Sequence, residues 1–282
     1  KLTGSLSGWA APKDIILYLL GKLSVKGGTG AVMEYFGEGC ETLSATAKAT
    51  ITNMGAELGA TCSLFPYDEK HAEFLRATDR SEVADLAEQH AKLLRADSQV
   101  LAAPENYYDQ VIEINLSELE PHLNGPFSPD KAWAISSMPS AVEKEGYTEE
   151  LSAALIGSCT NASYEDIDKA AKVARACLEQ GITAKSKLYI SPGSDKVRAT
   201  LEKDGQLDTL KEFGAVILAN ACGPCIGQWN RRDVKDGVKN SIIHTFNRNF
   251  KKRADGNPET LAFVVSPEMA IAQAAAGRIT FN

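Results

Sequence analysis

Two apolar runs that end in cysteine-bearing turns restrict this chain more than any other feature. Gly214-Ala-Val-Ile-Leu-Ala-Asn220 is a continuous apolar stretch bounded by turn residues. That is the pattern of a strand buried on both faces of a parallel sheet. It leads into Cys222-Gly-Pro-Cys-Ile-Gly-Gln228. About sixty residues earlier, Leu151-Ser-Ala-Ala-Leu-Ile156 reads the same way and leads into Gly157-Ser-Cys-Thr-Asn161. Open α/β sheets bind ligands just outside the carboxyl ends of their strands. Cys159, Cys222 and Cys225 stand at such ends.

From Leu151 onward, strand and helix patterns alternate. Further strands are expected at 187–191, 241–246 and 262–265. Ser163, with Asp166 three residues on, is the N-cap of a helix whose apolar face is Ile167, Ala170, Ala171, Ala174 and Leu178. Cys177 falls on that face and reads as a core thiol. Helices are also expected at 195–202 and 267–276. Strands separated by helices predict a parallel, three-layer sheet with right-handed crossovers.

The first part reads differently. Residues 12–23 carry one apolar stripe behind Pro12 and predict a helix. A strand at 31–36, a helix over 41–58 and a strand at 61–64 follow. Residues 68–94 are charged and helical, split near Asp79. Residues 110–116 alternate as a half-buried strand, and 124–150 read as a polar, proline-punctuated connection. The chain is therefore read as α/β, in two α/β units, residues 1–112 and 113–282, with the cysteines in the second.

A single C-x-x-C pair is compatible with zinc, with a redox pair or with chance. The surroundings are not those of one small thioredoxin-like domain, and a four-cysteine zinc site lacks a fourth ligand at sensible spacing. Three cysteines on strand-end turns suit an iron–sulfur cluster with one iron left open.

Gly157-Ser-Cys-Thr-Asn161, Cys222-Gly-Pro-Cys-Ile-Gly-Gln228 and Phe246-Asn-Arg-Asn-Phe250 followed by Arg253 resemble the aconitase family, most closely its mitochondrial-type members. The resemblance extends to Asn53-Met-Gly-Ala-Glu57, Phe65-Pro-Tyr67, Glu113-Ile-Asn-Leu-Ser-Glu118 and Asn257-Pro-Glu-Thr260. It implies a hydro-lyase that isomerises citrate and isocitrate through cis-aconitate on a [4Fe–4S] cluster. By this resemblance Cys159, Cys222 and Cys225 hold the cluster, and Arg248 and Arg253 bind the carboxylates of a tricarboxylate. Asn53, Glu57 and Asn247 lie near the cluster. Alternatives are a homoaconitase-type enzyme acting on homocitrate, or an inactive protein that keeps the fold. Taken without the resemblance, Asn53 and Glu57 are an exposed polar stripe and 248–253 a solvated basic loop.

The sequence departs from the family at Lys251-Lys252, where Thr-Gly or Ser-Gly usually precedes the second arginine. Losing a glycine there would alter the loop. No residue matches the family's proton-abstracting base, so the chain alone is expected to be inactive. The family's other members are longer, and the chain opens on Lys1, so it is read as an internal segment.

Net charge of −7 argues against a general nucleic-acid role. No apolar run reaches bilayer-spanning length. The cysteines are irregularly spaced, unlike a disulfide framework, which implies a reducing compartment. Cys40 and Cys62 read as core or surface thiols, and His71 and His90 as surface histidines. The resemblance further implies a mitochondrial matrix location and a monomeric full-length protein.

Overall fold

In the computed structural model, which describes residues 1–282, the first part of the chain folds around α1. Its elements are β1 (Leu2–Thr3), α1 (Pro12–Leu23), β2 (Val32–Glu34), α2 (Ala45–Asn53), β3 (Cys62–Leu64), α3 (Glu69–Ala77), α4 (Ser81–Gln89), α5 (Ser98–Ala102) and β4 (Ile114–Asn115). Ile15, Ile16, Leu19 and Leu20 of α1 are buried against Ile51, Met54 and Leu58. Short parallel pairs, β1 with β4 and β2 with β3, frame this core.

The second part builds one sheet. Its elements are β5 (His122–Asn124), β6 (Ala132–Ala134), α6 (Met138–Glu145), β7 (Leu151–Ile156), α7 (Tyr164–Glu179), β8 (Lys187–Ile190), α8 (Asp195–Lys203), α9 (Gln206–Phe213), β9 (Ala215–Ile217), β10 (Asn240–His244), β11 (Thr260–Val264) and α10 (Pro267–Ala276). The seven strands lie in the order β6-β5-β11-β10-β7-β8-β9. The last five are mutually parallel, and β5 and β6 add an antiparallel edge.

Handedness fixes which face each connection crosses. The chain steps from β7 to β8 to β9 in one direction through α7, α8 and α9. It then returns past β7 to β10 and continues to β11 in the other direction. Right-handed crossovers put those later connections on the opposite face. The cores agree. Leu151, Ala154 and Ile156 face Ile167, Ala170, Leu210 and Ile271 of the helices. Ala153 and Leu155 face Cys225, Phe246 and Ala254, all from connecting segments. The layer opposite the helices is thus made of loops over β7 and β10, while α1 covers Val264 of β11 on the same face.

Order reverses between β7 and β10, so their carboxyl ends form a topological switch point, the usual ligand crevice of an open α/β sheet. Residues 157–161 leave β7 there, and residues 245–255 leave β10.

Three local expectations differ from the structure. The single helix expected over 41–58 is a 3₁₀ turn Glu38–Thr42, α2 and a 3₁₀ turn Met54–Leu58. Ser44 starts α2 afresh by accepting from Ala47 N at 3.2 Å, and at Gly55 the backbone passes so close to Ser63 that a Cβ would lie 2.1 Å from its Oγ. The strand expected over 110–116 shrinks to β4, because only β1 is available to pair with it. The connection expected over 124–150 contains β6 and α6, elements too short to impose a period.

Candidate functional site

The turn that carries Cys159 is shaped by a close approach. Gly157 has φ +96°, and a Cβ there would lie 1.9 Å from the Ser191 carbonyl oxygen at the end of β8. Its N–H donates to Thr245 Oγ1 at 2.9 Å, which ties the turn to β10. From the other side, α2 clamps it. Thr160 Oγ1 donates to Asn53 Oδ1 at 2.8 Å and Asn161 Nδ2 to Thr50 Oγ1 at 3.4 Å, while Asn161 Nδ2 also reaches Asp166 Oδ1 of α7 at 2.9 Å. Asn161 has φ +57°, a left-handed conformation Asn tolerates better than most residues. Cys159 itself is exposed.

The Cys222–Cys225 turn extends β9. Leu218 N donates to Ile190 O at 2.8 Å, and Cys225 N closes the turn on Cys222 O at 2.7 Å. The Gly223–Ile226 segment is a 3₁₀ turn ended by Gly227 at φ +84°. Cys222 is exposed and Cys225 is buried beneath Phe246 and Ala254. Burial pushes the Cys225 thiol up, while Ser158 and Arg253 pull it back.

The loop after β10 carries the remaining groups. Glu57, from the 3₁₀ turn after α2, accepts from Asn247 Nδ2 at 2.8 Å and from Arg248 Nε at 2.9 Å. Its carboxylate is 5% exposed, while Arg248 is 41% exposed. Arg253 Nε donates to the Cys225 carbonyl at 2.8 Å. Each guanidinium spends its Nε on structure and keeps its two Nη groups for another partner.

Asn53 and Glu57 are therefore brought to the thiol turns although they lie on different helical segments. Asn53 meets the Cys159 turn, and Glu57 meets Asn247 and Arg248. The expected exposed stripe does not form, since Glu57 is buried. Cys177 packs partly buried against the helix-side core, Cys40 is buried and Cys62 exposed. Lys252 takes φ +67°, so lysine adopts the left-handed conformation that a glycine would favour.

Sequence reading missed Lys13. Its side chain is fully buried and its ammonium donates to the carbonyls of Thr245 and Phe246 at the end of β10. Burial pushes it down to about 7, and Asp166, Asp14 and the thiols of Cys225 and Cys159 pull it back up. A lysine in the first turn of an apolar helix carries no signal of this role; only the distant loop that it reaches explains it.

No three His, Cys, Asp or Glu side chains converge as they would around one metal ion. One zinc ion holds its thiolates at about 2.3 Å, hence within about 4 Å of each other. A cluster takes each thiolate on a different iron, so its cysteines stand wider apart. The three thiols stand on two strand-end turns, with the cationic side chains of Lys13, Arg248 and Arg253 nearby.

The aconitase family model, described as aconitate hydratase, matches residues 1–277. Mitochondrial aconitate hydratases of Emericella nidulans, Schizosaccharomyces pombe and Saccharomyces cerevisiae are 57%, 55% and 51% identical over all of this chain. The chain spans about a third of the length of these relatives, 35% to 36%. A solved Thermococcus kodakaraensis aconitase X aligns over 97% of this chain and 54% of its own, at 15% identity and TM-score 0.45, too loose a likeness to bear on the site.

Proposed function

Because the chain belongs to the aconitase family, we propose that it forms part of a hydro-lyase interconverting citrate and isocitrate. Cys159, Cys222 and Cys225 would hold a [4Fe–4S] cluster. Three thiolates leave one iron without a protein ligand, and such an iron supplies a Lewis acid for a poor hydroxide leaving group.

The chain's own residues bind and orient. Arg248 and Arg253 would each present the Nη edge to a substrate carboxylate as a planar, bidentate fork. Glu57 fixes the Arg248 plane through Nε and orients Asn247 beside it. Lys13 braces the loop after β10 from beneath, its ammonium on the carbonyls of Thr245 and Phe246. No side chain here is assigned as the proton-abstracting base, so the 282-residue chain alone would not turn over citrate. Proximity and orientation supply roughly 7–11 kcal/mol of such a barrier, and an incomplete site forfeits much of it.

The observation that carries this reading is the bond from Arg253 Nε to the carbonyl of Cys225. It couples a carboxylate-binding group directly to a thiol turn at the mouth of the sheet. We also propose the division into residues 1–112 and 113–282, with β4 of the second unit pairing back onto β1, a tricarboxylate as small-molecule substrate, a monomeric full-length protein and, by resemblance to relatives named mitochondrial, a place in the mitochondrial matrix. Anaerobic reconstitution with iron and sulfide, followed by citrate titration, tests the reading. Iron and sulfide bound together with a citrate-dependent spectral change support it; zinc retention without sulfide, or a response to homocitrate alone, would replace it.

A further inference from the structure

After the Cys222–Cys225 turn, the connection from β9 to β10 runs on from Gly227 to Lys239 across the loop-covered face of the sheet, and this strap has almost no backbone order of its own. Its internal main-chain bonds are two short turns, Arg231 N to Trp229 O and Val238 N to Lys235 O. Asn257 accepts from Gly237 N at 3.2 Å and donates to Val238 O at 3.1 Å, and Lys187 pairs with Asp233 at 3.3 Å, while one side chain ties the strap to several segments at once. The Arg231 side chain is 3% exposed and pairs with Asp233 at 3.1 Å and with Asp255, whose side chain is also 3% exposed, at 3.3 Å. Its Nη1 donates to Asn240 Oδ1 at 2.8 Å and its Nη2 to Ser152 Oγ at 3.0 Å. Its guanidinium carbon lies 4.9 Å from the centre of the Trp229 ring, and Trp229 meets Tyr189 edge-on at 5.6 Å.

These partners tie the strap to the amino ends of β7 and β10 and to the end of the loop that carries Arg253. Ser152 opens β7, which leads to Cys159. Asn240 opens β10, which leads to Asn247 and Arg248. Asp255 stands two residues after Arg253. Trp229 follows Cys225 by four. Asp255 also accepts from Thr260 Oγ1 at 2.8 Å, so the segment that carries Arg253 is pinned to β11. Lysine could not replace this set, because a single ammonium has no planar fork to span four acceptors.

We propose that Arg231 is a positioning residue that locks the Gly227–Lys239 strap and the Arg248–Asp255 loop into one unit, so that the Cys222–Cys225 turn and Arg253 keep a fixed relation. The proposal rests on the cluster reading above for its consequence, but not for its geometry. With the lock intact, the thiol turn is held in place before any iron arrives, and its ligands cannot swing away once iron is bound. Without it, Asp255 becomes a buried carboxylate that has lost its cationic partner, Asp233 keeps only Lys187, and both segments loosen together.

The test uses the full chain. In the metal-free protein, amide hydrogen exchange is followed in wild type, Arg231→Gln and Asp255→Asn. Exchange at least tenfold faster in both 226–239 and 248–256, with the helix face unchanged, is expected in Arg231→Gln. Faster exchange in the strap alone, or in neither segment, overturns the lock. If Arg231→Gln does not fold, Asp255→Asn decides by the same two segments. In reconstituted protein, the visible iron–sulfur absorbance should then decay at least threefold faster under chelator. Leu201→Ala, a core truncation far from the strap, supplies a variant of comparable melting temperature, and an equal decay there would reduce Arg231 to a merely structural residue. Arg231→Lys should recover melting temperature without recovering cluster lifetime, and recovery of both would contradict the need for a fork. Absence of iron and sulfide uptake by wild type would remove the cluster reading while leaving the exchange result to judge the lock.

Discussion

Glu57 and Arg248 are 191 residues apart in the chain, and the Arg248 Nε donates to Glu57 Oε1 at 2.9 Å. The bond joins a turn that packs with α2 to the loop that leaves β10. The acid is buried and the base half-open, so the pair orients the guanidinium toward solvent rather than hiding it.

Glu57→Ala should therefore destabilise the chain by about 1–3 kcal/mol, the cost of leaving Asn247 and the Arg248 Nε without their acceptor. Arg248 can turn to water, which keeps the loss below that of a fully buried pair. A urea midpoint unchanged from wild type would show that the bond does not form in solution.

Lys252→Gly should stabilise the chain by up to about 1 kcal/mol. A left-handed conformation costs a non-glycine residue roughly 1–2 kcal/mol, and the extra freedom of glycine in the unfolded chain takes back part of the gain. The expected readout is a higher urea midpoint at constant slope. A lower midpoint would mean that the lysine side chain contributes more than its backbone strain costs.

His244 provides a pH test. Burial pulls its imidazole down to about 3 from an ordinary 6.5, and Lys13 adds to this. Between those values the unfolded chain binds a proton that the folded chain refuses, so this contribution is absent above pH 6.5 and destabilises as pH falls below it. Asp14, pushed up to about 7 by burial, acts with the opposite sign in the same window, so the test must be a difference. Relative to His244→Asn, wild type should lose about 2 kcal/mol of stability between about pH 7 and 5. Parallel pH profiles for the two proteins would show that His244 is not held neutral.

Arg248→Lys and Arg253→Lys, in reconstituted protein, should weaken citrate binding by about 1.5–3 kcal/mol each, the worth of a charge-assisted hydrogen bond, while iron content stays unchanged. Lysine keeps the charge and loses the fork. Binding equal to wild type in both variants would return the loop to an ordinary solvated surface.

The apolar run before Cys159 made β7 legible, because a buried parallel strand tolerates little but apolar residues, whereas the run before Cys222, expected to be buried on both faces, forms only the short edge strand β9 with Val216 exposed. The turns after them were legible for the same reason: their cysteines and glycines interrupt an otherwise continuous pattern. The antiparallel edge formed by β5 and β6 was not, since three-residue strands leave no period to detect. Glu57 looked like a surface residue because its partners lie in another part of the chain. Arg231 gave no signal at all. A basic residue in a polar loop has the same composition whether it is solvated or, as here, buried among two carboxylates and a tryptophan.

The central claim, that Cys159, Cys222 and Cys225 together hold an iron–sulfur cluster, is tested most directly by iron and sulfide content after anaerobic reconstitution. Wild type and Cys177→Ser should retain iron and sulfide in equal amounts, with visible charge-transfer absorbance. Cys159→Ser, Cys222→Ser and Cys225→Ser should each lose most of both. Equal iron and sulfide in all five proteins would contradict the assignment.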